Sequence, residues 1–158
     1  MRAKEFIVEV DIDNRKGWGA VPKNQDVDYF GLQVQMRPST FLKLALPLPN
    51  PPSADDISQH IKNGGAIGAP FLEIMIPDEW DGGDFSQPAA VKGHDGRNRM
   101  NAIMAVEGDR PVEVHLFFYG RHREWRARHI TPEIADAINI AMIPQGSSAP
   151  LKGPLFTS

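Results

Sequence analysis

The sequence predicts an α+β fold: a single compact domain with a mixed β-sheet and a few helices. Three observations predict it. The chain has 158 residues, the length of one domain. Stretches that alternate at period two are interleaved with short stretches of helical period. Fourteen prolines and fourteen glycines break the chain too often for a helical bundle.

The elements follow in order. EFIVEVDI, residues 5–12, puts Phe6, Val8, Val10 and Ile12 on one face of a strand. NRKGWGAVPKNQDVD reads as a long loop, with Arg15, Lys16 and Trp18 open either to base stacking or to a plain loop role. YFGLQVQM, 29–36, alternates again through Leu32, Val34 and Met36. STFLKLA follows as a short helix, with Ser39 its expected N-cap. PLPNPP, 47–52, cannot be a helix or a central strand and reads as an extended connector.

Ser53 with an acid three residues on opens the next helix; Ile57 and Ile61 lie one turn apart, and Asn63-Gly64-Gly65 ends it. PFLEIMI, 70–76, reads as a buried strand, DEWDGGDFSQ as an exposed loop and PAAVK, 88–92, as a short strand. A helix is expected over 96–107, burying Met100 and Ile103 and stopped by Gly108. PVEVHLFF, 111–118, alternates. Thr131-Pro132-Glu133 opens a last helix with Ile134, Ile138 and Met142 in its stripe. The Pro/Gly/Ser-rich tail, 144–158, is expected to be loose. This gives N-terminal strands and connector over 1–52, a core over 53–118, and a basic segment with the last helix over 119–143.

Composition narrows the chemistry. The chain has no cysteine, which excludes disulfides, thiolate metal sites and a cysteine nucleophile, and fits a cytoplasmic location. No apolar run approaches the roughly 18 residues of a membrane span, and MRAKEFIVEVDID is too charged for a signal peptide. No membrane partner is therefore expected, and nothing specifies an oligomeric state. The net charge of −3 conceals an asymmetry. Residues 92–129 hold eight Lys/Arg against five Asp/Glu, while the rest of the chain holds nine against fifteen. Positive charge is gathered on one segment.

KGHDGRNRMNAI, 92–103, begins that segment at the mouth of the 96–107 helix. The first amides of a helix have no intrahelical partner and sit at the positive end of its dipole. Gly93 and Gly96 allow a ligand close to the backbone, and Arg97 and Arg99 supply charge-assisted donors for phosphate or carboxylate. Read this way, Gly93, Gly96, Arg97, Asn98 and Arg99 form an anion cradle. The plainer reading is a tight turn with Asp95 as its cap and two solvated arginines.

The run from Ser53 to Phe118, under half of the chain, resembles the ParB/sulfiredoxin (ParB/Srx-like) superfamily. The resemblance rests on HIKNGGAIGAPFLEI, AAVKGHDGRNRMNAI and EGDRPVEVHLF. Gly96-Arg97-Asn98-Arg99 falls where that family carries its phosphate-binding Gly-x-x-Arg, and Pro70 and Pro111 fall where prolines lead two of its strands. STFLKLA matches a short helix often found upstream. The turn-rich style and the GHDGR variant are similar to small bacteriophage proteins. With no cysteine, sulfinic-acid repair is excluded. The Gly-Glu-Arg-Arg form is absent and no helix-turn-helix follows, so nucleotide-gated spreading on a centromere does not fit.

The resemblance implies a nucleotide-phosphate pocket serving phosphotransfer, NTP hydrolysis or nuclease activity. In such a pocket His94 or Asp95 would orient a nucleophile or a Mg²⁺ ion carried by a nucleoside triphosphate. The alternatives are a non-catalytic nucleotide- or nucleic-acid-binding module, and a structural or inhibitory interaction protein.

Two further features complete the candidates. GRHREWRARH, 120–129, sets Arg121, Arg123, Arg126 and Arg128 around Trp125, suited to gripping DNA or RNA backbone and stacking on a base. A charged surface loop with Trp125 turned inward fits equally. Glu73, amid apolar neighbours, is either a general base or the solvated residue of an edge strand; Asp78, Glu79 and Asp81 are open alternatives. The histidines, His115, His122 and His129 among them, show no tight ligand spacing, so no resident metal is expected.

Overall fold

The computed structural model describes residues 7–9, 30–47, 55–65, 67–120 and 130–157. The chain order is β1 (Ile7–Glu9), β2 (Phe30–Met36), α1 (Pro38–Leu44), α2 (Asp55–Lys62), β3 (Phe71–Ile76), a 3-10 turn (Asp78–Gly82), β4 (Ala89–Asp95), α3 (Arg97–Glu107), β5 (Val112–Gly120), α4 (Pro132–Ile140), β6 (Ala141–Ile143) and β7 (Leu151–Lys152). The strands form one mixed sheet in the order β1-β2-β5-β3-β4-β6-β7. The β5–β3 and β4–β6 pairs are parallel and the others antiparallel. The fold is α+β, with the mixed sheet that the order of sequence patterns predicts.

Strand alternation decides which face is buried. Leu32, Val34 and Met36 of β2, Leu72, Ile74 and Ile76 of β3, and Val114, Leu116 and Phe118 of β5 recur at period two and are all buried. Phe41 and Leu44 of α1, Met100 and Ile103 of α3, and Ile134 and Ile138 of α4 join them in one cluster, so these three helices cover the same face. On the other face Phe71 and Phe117 pack edge to face at 5.2 Å, beside the buried His115.

Local signals account for several helix ends. Gly64, at φ +76°, and Gly65 close α2 with a Schellman pair: Gly65 N–H donates to the His60 carbonyl and Gly64 N–H to that of Ile61. Thr131 caps α4, its hydroxyl oxygen accepting from Ile134 N–H at 3.3 Å. Gly108 ends α3, its N–H donating to the Met104 carbonyl.

Other expectations are corrected. Ser39 is not the cap of α1. Arg37, held extended before Pro38, occupies that position, and the helix start is capped instead by Asp109, from the turn after α3. The Asp109 carboxylate accepts from both the N–H and the hydroxyl of Ser39. The stretch 78–87 is not all exposed: Trp80 is buried, and its indole N–H donates to the Gln87 carbonyl at 2.7 Å. The tail is packed rather than loose. Leu155 and Phe156 enter the core, β7 pairs with β6, and Thr157 bridges to Gln35. Short apolar insertions in a Pro/Gly-rich tail carry no periodicity, so composition alone hides them.

β4 runs on to Asp95, three residues past its predicted end, and carries a bulge. Glu73 pairs with Gly93, but the next residue, Ile74, pairs with Val91, leaving Lys92 as the extra residue. One inserted residue reverses the alternation downstream. Val91 therefore faces the helices together with His94, while Gly93 and Asp95 turn to the opposite face.

Candidate functional site

The site is built where the end of β4, the first turn of α3, the end of α1 and the turn after β6 meet. Gly96 makes the junction. It holds φ +112°, a region that side chains rarely adopt, and a Cβ there would lie 2.6 Å from the Pro70 Cβ and 2.9 Å from its Cα. Glycine is thus demanded twice, by backbone angle and by space. Gly96, at the N-cap, brings no side chain to cap the first turn of α3. Its leading amides, on Arg97, Asn98 and Arg99, lie at the positive end of the helix.

The two arginines go to different places. Arg97 Nη1 donates to the Leu42 and Ala45 carbonyls, both at 2.9 Å, so it closes the C-terminal end of α1. Among the described residues its Nε and Nη2 donors have no partner. Arg99 is 3% exposed. Its Nη1 donates to the Gly68 carbonyl at 2.7 Å, and Nη2 pairs with Asp95 Oδ2 at 3.1 Å. Burial lowers the Arg99 pKa from its ordinary range, and the neighbouring Asp95 carboxylate opposes that shift. Contrary to the expectation of a solvent-facing phosphate ligand, Arg99 braces the 68–69 backbone against α3. Asp95 does not cap the helix but pairs with this arginine.

His94 lies on the helix face. Its ring meets Phe41 edge-on, centroids 6.4 Å apart, and its Nδ1 is 2.6 Å from Gln145 Oε1. Gln145 also receives Leu46 N–H on Oε1 and donates its own N–H to the Leu44 carbonyl. Arg97 and Gln145 thus both hold the end of α1, from two distant parts of the chain. Sequence reasoning missed Gln145 and the α1 carbonyls. A single glutamine in a turn carries no signal, and a carbonyl is present at every position.

Glu73 and Gly93 belong to the other face. β3 is an interior strand, not an edge, and Glu73 is half-buried across from Gly93. A Cβ at Gly93 would lie 2.7 Å from Glu73 Oε2, so this glycine makes room for a carboxylate. An anion approaching Gly93 from that side would meet negative charge. Asn98, half-buried, has no hydrogen-bond partner among the described residues.

Arg121, Arg123, Trp125, Arg126 and Arg128 lie outside the described residues, as do Arg15, Lys16 and Trp18. Among the described residues, no group of three or more His, Asp and Glu is placed to hold a metal, and no helix is long and apolar enough to cross a membrane. A separate cleft of about 360 Å³ lies between the end of α2, the 64–70 segment and the C-terminal half of α3. Ile61, Ile67, Ile103 and Val112 line it, with Glu107 and Arg110 paired at its rim. No protein-family model, curated protein or solved structure matches this chain.

Proposed function

We propose that this chain is a ParB/Srx-like nucleotide-phosphate-binding protein that works in the cytoplasm and transfers or hydrolyses phosphate, as an NTPase, a phosphotransferase or a nuclease. One observation carries the reading. The first turn of α3 starts on a glycine that cannot cap it, and Arg97 in that turn has its guanidinium anchored by one nitrogen on α1 with further donors left. Backbone amides at a helix start, joined by a pre-positioned arginine, are suited to phosphate oxygens and to the charge that develops on them in transfer.

In this reading the amides of Arg97 and Asn98 and the free Arg97 donors hold phosphate. His94 handles the proton of the attacking group. Asp95 and the buried Arg99 keep the turn in shape. Mg²⁺ belongs to the proposal as an ion that reaches the site on the phosphates of its nucleotide, with one or two carboxylates at most from the protein. DNA or RNA enters as an acceptor or a substrate through the basic 120–129 segment.

The test is a melting-temperature screen of the full chain across nucleoside triphosphates and oligonucleotides, with and without Mg²⁺. A ligand at a hundred times its Kd adds roughly 2.7 kcal/mol, a rise of about 5–10 °C for a chain of this size. Arg97→Ala should abolish most of that rise. If no nucleotide or oligonucleotide shifts the wild-type melt, the reading fails. Release of phosphate on incubation separates an enzyme from a binding module.

A further inference from the structure

We infer that Gln145 is a positioning residue that locks His94 as its Nδ1–H tautomer, so that the ring offers a bare Nε2 lone pair to the hydroxyl or water of an incoming ligand. The ligand part of this rests on the proposed phosphate site; the tautomer does not.

A backbone N–H can only donate. Leu46 N–H lies 3.1 Å from Gln145 Oε1, which identifies that end of the side-chain amide as its oxygen. A carbonyl oxygen only accepts. His94 Nδ1 lies 2.6 Å from the same oxygen, so Nδ1 must carry the proton of this hydrogen bond. In a neutral imidazole the other nitrogen is then bare. Among the described residues, Nε2 has no hydrogen-bond partner.

Gln145 is itself held. Its backbone N–H donates to the Leu44 carbonyl at 2.9 Å, so the backbone and the side chain of one residue grip both sides of the end of α1. Phe41, from the same helix, packs edge-on against the imidazole. The bulge at Lys92 turns His94 toward this frame. Ring position, ring orientation and proton position are therefore all set by one short helix end and a turn 51 residues away in sequence.

A ring held this way suits one task. Nε2 takes a proton from an O–H group, the oxygen keeps the electron pair of the broken bond, and the imidazolium formed keeps its Nδ1–H on Gln145 Oε1. The ring keeps that Nδ1–H hydrogen bond before and after the transfer, so it takes the proton without a change of tautomer or orientation. The next proton transfer is to solvent.

The experiment is ¹⁵N NMR on the full chain labelled at histidine, at a pH where the rings are neutral. His94 is assigned by the loss of its signals in His94→Gln. Wild type should show protonated Nδ1 and bare Nε2. Gln145→Ala should shift the ring toward the Nε2–H form that an unrestrained histidine prefers. Gln145→Glu keeps an acceptor oxygen and should retain the wild-type tautomer. A wild-type ring protonated at Nε2 overturns the inference, as does a folded Gln145→Ala with the tautomer unchanged. The wild-type spectrum decides the matter even if Gln145→Ala does not fold. No ligand is present, so an Nδ1–H ring in a protein that no nucleotide stabilises would retire the phosphate reading and leave the Gln145 assignment standing.

Discussion

Gly96 and Arg99 form a pair that a side chain at position 96 would break. A Cβ on residue 96 would lie 3.0 Å from Arg99 Nη2 and closer still to Pro70, in a backbone region that already disfavours side chains. Gly96→Ala should therefore cost at least about 2 kcal/mol, read as a fall of roughly 4–8 °C in Tm. Removing the buried guanidinium leaves the Gly68 carbonyl without its donor, while Asp95, 40% exposed, stays in reach of water. Arg99→Ala should cost about 1–3 kcal/mol in urea unfolding. Arg99→Lys should recover only part of this, because a single ammonium cannot replace a fork that reaches a carbonyl and a carboxylate together. Arg97→Ala should separate from both by losing ligand response while melting closer to wild type. Equal thermal losses in Gly96→Ala, Arg99→Ala and Arg97→Ala would make the whole turn a structural device.

At the scale of elements, α1 shows how a short helix is held by others. Seven residues are too few to stand alone. Asp109 caps its start, and Arg97 and Gln145 take its last carbonyls. The hydrogen bonds from Ser39, hydroxyl first and then backbone N–H, hold the Asp109 carboxyl below the ordinary carboxylate range, and Arg37 and Lys43 act in the same direction. The sign follows from linkage. A carboxyl with a lower pKa in the folded state stabilises the fold above its unfolded pKa of about 3.9, and that stability is lost as pH falls through the folded value. Wild type should melt higher than Asp109→Asn near neutral pH, and the gap should close below about pH 4. A gap that persists in acid would mean that the carboxylate charge plays no part in the cap.

For the whole molecule, the tail holds the sheet to its helical layer. Leu155 and Phe156 fill core positions, and Phe156 N–H donates to Asn139 Oδ1 at 2.8 Å, tying the end of the chain to α4. Ending the chain after Pro154 leaves β7 and Gln145 in place but removes both apolar side chains. The expected loss is about 3–6 kcal/mol, a large share of the roughly 5–15 kcal/mol that holds a domain folded. A lower urea midpoint with an unchanged slope would show it. A truncated chain as stable as wild type would make the tail a passenger.

The features legible from the residues alone were local: the alternation of β2, β3 and β5, the glycine end of α2, the Thr131 cap, the glycine stop of α3 and the α+β class. Each of these is decided by residues within a few positions of one another, and hydrophobic period or capping chemistry expresses it directly. Partnership came from the packing of the folded chain. Arg97 and Arg99 are two residues apart and look alike in sequence. One reaches carbonyls at 42 and 45, and the other goes into the interior against 68 and 69. The side that His94 faces was set by one extra residue at Lys92, and its proton by Gln145. A side chain's donors can be counted from the sequence, but where they point depends on strand pairing and helix packing, and those bring together residues that no local pattern connects.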